Sequence, residues 1–282
     1  MDESVVVLRL EAGKANAMTP ELLDTLERMI EGFERGPAAA AVLTGYERYF
    51  SGGLSLFYLI DYDVVAMRGF IEQFSRAMQR VFACGKPIVA AVNGHAIAGG
   101  CVLALMCDWR IAVDDPSARI GLNETQLGIG LPVIVIEALR AAVPPASIVP
   151  IAIDGTLFTP EQARAVGLVH ELAPPADLLD RAIARAEAFA ARPGPAVAQV
   201  KHALRAQILD TIARTADQET TRWLETWFSP EAQARLRAAV ARLGGPVPRV
   251  RSAADTQVDL DRPPHAVTQP LPRLKRGTRD PF

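Results

Sequence analysis

Apolar and polar positions alternate between two regimes along this chain. Short, uninterrupted apolar runs at Val5 to Leu10, Ala40 to Thr44, Pro87 to Val92 and Arg110 to Val113 predict strands covered on both faces. Between them the period changes to that of a helix. Thr19-Pro20-Glu21 opens one with a hydroxyl cap, a proline at the first position and an acid in the first turn. Leu22, Leu26, Met29, Ile30 and Phe33 then mark its buried face. Residues 64 to 83 and Cys101 to Cys107 are also expected to be helical. Strand and helix in alternation predict parallel sheets with crossover helices, an α/β class.

From about residue 159 helices take over. Thr159-Pro160-Glu161-Gln162 is a capping box. Residues 176 to 192 carry Leu179, Ile183, Ala186 and Ala190 on one side, and residues 195 to 243 predict further helices broken near Pro230. The organisation expected is a core at 1–195, a helical region at 196–244 and a tail at 245–282. That tail holds seven of the 21 prolines and a net charge of +3, and it shows no apolar period. It is expected to be solvated with little stable structure, the alternative being recruitment of a partner or an anionic surface.

Composition narrows the function. With 282 residues, half of them apolar, the chain can bury a sizeable core. Thirty basic and 32 acidic residues give a net charge of -2, which does not fit a basic nucleic-acid binder. Cys84, Cys101 and Cys107 make no disulfide framework, and the four histidines have no zinc-ligand spacing, so no metal is expected. No GxGxxG or GxxxxGK[ST] motif calls for a nucleotide cofactor. Residues 87–107 carry no charge, but Pro87, Asn93, Gly94, His95, Gly99 and Gly100 interrupt them, so strand, turn and helix fit better than a membrane span. The opening MDESVVVLRL lacks the plan of a signal peptide, and a cytoplasmic setting is expected.

Three segments carry candidate chemistry. Phe50-Ser51-Gly52-Gly53-Leu54-Ser55-Leu56 is either an ordinary glycine turn or one that aims backbone N–H groups into a cleft. Asn93 to Cys101 joins a buried strand to a buried helix. Its Gly99-Gly100 pair either permits close packing or offers a helix N-terminus to developing negative charge. Glu124 lies in the apolar, glycine-punctuated stretch 120–129. It is either a carboxylate whose pKa burial raises, as a general base requires, or an acid at a helix start.

Together these segments resemble the crotonase (enoyl-CoA hydratase/isomerase) superfamily over roughly residues 4 to 243. The likeness rests on Lys14-Ala15-Asn16-Ala17, the turn at 50–56, NGxAxAGG at 93–100, CDxRIA at 107–112, the Glu124 segment and FTPEQARAVGLV at 158–169. It implies a spiral of ββα units and C-terminal helices that build a homotrimer or a dimer of trimers. It also implies an acyl-CoA thioester substrate, whose CoA is the only cofactor-like group. The thioester oxygen would sit between the N–H groups of Leu54 and Gly99. Lys14, Ala15, Asn16, Ala17, Ser51, Gly53, Ser55, Leu56 and Gly100 would hold the CoA, with Lys14 reaching a phosphate. Ser55 departs from the Asp of many relatives, and Leu54 from the commoner Ala.

Hydratases of this family use two glutamates, and the position of the first is Val102 here. A solitary Glu124 suits a proton shuttle, which points to the Δ3,Δ2-enoyl-CoA isomerase branch, as does the phrase IGLNETQLGI. The alternatives are a hydratase or another acyl-CoA lyase or hydrolase using Glu124, and a non-catalytic acyl-CoA binder. Leu131, Pro132 and residues near 57–71 are expected to shape the acyl pocket. His95, an Asp108–Arg110 pair, the cysteines, and Trp223, Trp227 and Phe228 are read as packing or structural groups.

Overall fold

The computed structural model describes residues 4–244, so the proline-rich segment at 245–282 lies outside the described residues. The chain opens with β1 (Val5–Arg9) and α1 (Pro20–Arg35). Three turns of a spiral follow. The first is β2 (Ala40–Thr44), β3 (Tyr49–Ser51), α2 (Leu56–Leu59) and α3 (Val64–Ala83). The second is β4 (Ile88–Val92), β5 (His95–Ile97) and α4 (Gly99–Met106). The third is β6 (Trp109–Val113), β7 (Ile120–Gly121) and α5 (Val133–Ala142). Then come α6 (Pro160–Ala165), β8 (Glu171–Ala173), α7 (Leu178–Ala190), α8 (Gly194–Trp227) and α9 (Pro230–Arg242).

Each turn sends its first strand into one sheet and its second into another. The five-stranded sheet runs β1-β2-β4-β6-β8 and the three-stranded sheet β3-β5-β7, all pairings parallel. This is the expected spiral of ββα units. Residues 87–107, the uncharged stretch, become β4, β5 and α4. Among the described residues no helix is long and apolar enough to cross a membrane.

The long strands are continuously apolar because both faces of their sheet are covered. Ala41 and Leu43 face the main core with α1 and α3, whereas Ala40, Val42, Val89 and Ala91 pack under Leu178, Ala182 and Ala186 of α7. Asn93 fixes the corner at which a strand leaves one sheet for the other. Its Oδ1 accepts from the Gly45 N–H at 2.9 Å, and its Nδ2 donates to the carbonyls of Glu47 and Tyr49.

Asp108 and Arg110 do not pair with each other, contrary to expectation. Asp108 accepts from Lys201 Nζ at 2.6 Å and Arg205 at 2.7 Å, both on α8, and from the Ile88 N–H at 2.7 Å. Arg110 instead donates through Nε to the Leu168 carbonyl at 2.7 Å. The long helix α8 is thus tied to the root of β4 by a largely buried ion triad, in which desolvation pushes the Lys201 pKa down. Removing the acid strands two buried cations. Asp108→Ala is therefore expected to lower unfolding free energy by about 3–5 kcal/mol in chemical denaturation, while truncating the exposed Arg35 of the Arg35–Glu31 pair changes it little. A loss below about 1 kcal/mol for Asp108→Ala contradicts this role.

Candidate active site

Two backbone amides are brought together by the second strands of successive turns. Ser51, fully buried at the end of β3, donates through Oγ to the Asn16 carbonyl at 2.7 Å and accepts from the Gly53 N–H at 3.2 Å. Gly53 has φ +84°, and a Cβ there would lie 2.7 Å from the Ile97 carbonyl and 3.1 Å from the Gly99 nitrogen. Only glycine lets the turn press this closely on the start of α4. Leu54 then forms an isolated parallel bridge with Met18. The bonds of that bridge run from Met18 N–H to the Gly53 carbonyl and from Ser55 N–H to the Met18 carbonyl. They use the neighbours of Leu54, so its own N–H faces the other way.

Gly99 contributes the second amide. Ala98 turns the chain from β5 into α4 with φ 52° and ψ -123°, a conformation that costs a non-glycine residue energy. The turn leaves the Gly99 N–H as the first orphan donor of the helix. Among the described residues, neither the Leu54 nor the Gly99 amide has a hydrogen-bond partner. Gly100 serves packing, since a Cβ on it would meet the Ser51 carbonyl at 2.1 Å.

Glu124 follows β7, which is fastened beside the two amides by a 2.8 Å bond from the Ala98 N–H to the Gly121 carbonyl. Its carbonyl accepts from the Leu127 and Ile129 N–H groups, so the backbone is fixed by a single turn of helix at Thr125–Leu127. The carboxyl points inward, only 9% of the residue is exposed, and Oε2 is buried without a partner. Leu54, Gly99, Ile71, Phe74, Val102, Ile129, Pro132, Val135 and Trp223 join Glu124 around a small cavity of about 20 Å³. Burial in these apolar walls raises the Glu124 pKa from 4.5 to about 7, against a weaker opposing effect of the Glu124 and Asn123 backbone. Among the described lining residues Glu124 is the one ionisable group.

The remaining candidates are not among the residues that line this cavity. Asn16 is fully buried, and its amide is occupied: Oδ1 accepts from the Ala12 N–H, and Nδ2 donates to the Leu10 and Phe50 carbonyls. Ala15 and Asn16 both have positive φ, 62° and 46°, and hold a tight turn that the Ala17 N–H closes onto the Lys14 carbonyl. Lys14 is exposed. The Ser55 carbonyl accepts from the Tyr58 and Leu59 N–H groups and so caps α2, whose first residue is Leu56.

His95 does not line the cavity: it packs on Tyr49, and its Nδ1 accepts from the Arg119 N–H. The Cys101 and Cys107 thiols, fully buried, are pushed up to about 12 and are unreactive. Trp223 belongs to the core as read from the sequence, yet it also forms a wall of the cavity. No local signal marks it, because α8 brings it there from about 100 residues beyond Glu124.

A family profile described as "Enoyl-CoA hydratase/isomerase" matches residues 1–237. A putative enoyl-CoA hydratase of Thermus thermophilus is 35% identical over 66% of this chain and 74% of its own length. The human mitochondrial enoyl-CoA delta isomerase 1 is 27% identical over 85% of this chain and 80% of its own. The crystal structure of human mitochondrial delta3-delta2-enoyl-CoA isomerase superposes with a TM-score of 0.81, covering 86% of this chain and 94% of that one at 27% identity. Its fold is therefore that of these enzymes, and the chain belongs to the enoyl-CoA hydratase/isomerase family.

Proposed function

We propose that the protein shifts the double bond of a 3-enoyl-CoA to give the 2-trans-enoyl-CoA, with Glu124 carrying the proton. The observation behind this is one buried carboxylate facing two unpaired amides in an apolar cavity, with Val102 where a second acid would stand. Glu124 takes a proton from C2. The electrons move into a dienolate whose oxygen accepts from the Leu54 and Gly99 N–H groups. The carboxylic acid then returns the proton to C4, and the double bond lies between C2 and C3. Each preorganised donor contributes about 3 kcal/mol to such an intermediate.

Removing the proton also relieves the cost of a buried charge on Glu124, so burial strengthens the base. The CoA portion runs past Lys14–Ala17 and the 51–56 turn, where Lys14 is free to meet a phosphate and the other contacts come from the main chain. The same reading includes a homotrimer or dimer of trimers, a cytoplasmic setting, and no cofactor beyond the CoA of the substrate. Hydration of a 2-enoyl-CoA by Glu124 is the second reading, favoured by the name of the Thermus thermophilus relative.

Glu124→Gln is expected to lower isomerisation by about a thousandfold or more while acyl-CoA affinity stays within about threefold. Retained turnover overturns the shuttle, and formation of a 3-hydroxyacyl-CoA from a 2-enoyl-CoA favours the hydratase.

The base must be ionised, so kcat/KM is expected to rise with pH up to about 7 and then level. At pH 5 it falls to about 1% of the plateau. A profile flat from pH 5 to 8 contradicts it.

Stability shifts in the opposite sense. The folded chain holds the Glu124 proton more tightly than the unfolded chain between pH 4.5 and about 7, so wild-type stability falls as pH rises through that window. Glu124→Gln is accordingly expected to melt above the wild type at pH 8, with the gap closing as pH falls toward 4.5. A gap that does not change with pH contradicts the raised pKa.

A further inference from the structure

Two hollows lie in succession along the contact of α5 with α8. One is the cavity of Glu124, with Pro132, Val135 and Trp223 among its walls. The other is a larger groove of about 270 Å³, lined by Leu131, Val133, Ile136, Glu137, Arg140, Thr211, Thr215 and Glu219. Their linings interleave. Leu131 and Val133 flank Pro132, and Glu219 lies one helical turn before Trp223 on the same face of α8. The first turn of α5 borders both, and Trp223 lines the first hollow one helical turn from the Glu219 that lines the second.

The indole is held in place. Trp223 Nε1 donates to the Gly130 carbonyl at 2.9 Å, and the Gly130 N–H donates back to Thr226 Oγ1 at 2.9 Å. Thr226 Oγ1 in turn donates to the Trp223 carbonyl at 2.7 Å, which closes the ring of bonds. Behind Trp223 stands the fully buried Trp227, with ring centroids 5.3 Å apart. An indole clamped on one side and backed on the other does not swing aside, so it acts as a fixed wall rather than a gate.

We infer that Trp223 is the end wall of the acyl pocket and restricts the substrate to short acyl chains, an inference that rests on the acyl-CoA reading above. About 20 Å³ is left beside Glu124, so a short chain asks least of the apolar walls. A long one meets the indole, and beyond it a groove with one apolar side, Leu131, Val133 and Ile136, and one charged side that includes the Glu137–Arg140 pair.

Binding of saturated acyl-CoAs tests this without turnover. Butanoyl-, hexanoyl-, decanoyl- and dodecanoyl-CoA are titrated calorimetrically into the wild type, Trp223→Phe and Trp223→Leu. In the wild type each methylene that still fits strengthens binding about fourfold. Affinity then breaks, with dodecanoyl-CoA at least about tenfold weaker than hexanoyl-CoA. Trp223→Phe, still a wall, keeps that order. Trp223→Leu opens the partition and brings dodecanoyl-CoA to within about threefold of hexanoyl-CoA. A wild type that binds dodecanoyl-CoA as tightly as hexanoyl-CoA overturns the inference, and this readout needs no variant to fold. An unchanged profile in a folded Trp223→Leu also overturns it. Failure of every acyl-CoA to bind overturns the proposed function as well, which separates the two failures.

Discussion

A buried carboxylate with one unpartnered oxygen and two amides with no acceptor share one apolar cavity, and the rest of the structure exists in a form that keeps them there. Each is unfavourable alone. Burial that backbone bonds only partly offset disfavours the charged form of Glu124, and unpaired N–H groups away from water cost about what a lost hydrogen bond does. They do not relieve each other directly, because Glu124 Oε2 accepts from neither amide. A ligand that yields a proton to one side and takes negative charge on the other satisfies both.

The spiral explains how such mismatches persist. Each element of the site leaves a different turn of the ββα coil: Leu54 follows β3, Gly99 follows β5 and Glu124 follows β7. The three strands pair in parallel as one small sheet, so the residues just past their ends converge on one side of it. The larger sheet, buried on both faces, and the α8 anchor at Asp108 give the rigidity that holds strained backbone at Ala15, Asn16 and Ala98.

Much of this frame can be read in the sequence where local physics decides it. β2 and β4 are short apolar runs because nothing polar can face either side of a covered parallel sheet. The cap at Thr19 and the capping box at Thr159 and Gln162 form as written, since both are matters of a few adjacent residues. The strands that matter most for the site, β3, β5 and β7, span two or three residues each and carry no period to detect. Their glycine motifs were visible, but the choice between close packing and free donors was not. It depends on the approach of Gly53 to Gly99, segments almost 50 residues apart. Local spacing sets Asp108 beside Arg110 for the same reason, whereas its actual partners Lys201 and Arg205 arrive on a helix that begins at Gly194. Trp223 was legible as a core residue and not as a wall, because the cavity it bounds is assembled from five separate stretches of chain.

The central claim is that one carboxyl moves one proton between two carbons of the same substrate. It is tested most directly by following deuterium from C2 of a labelled 3-enoyl-CoA in single-turnover reactions. The account predicts that part of the label appears at C4 of the 2-trans-enoyl-CoA, because the acid formed on Glu124 is shielded from solvent in its cavity. Product with no label at C4, accompanied by a 3-hydroxyacyl-CoA, would contradict it.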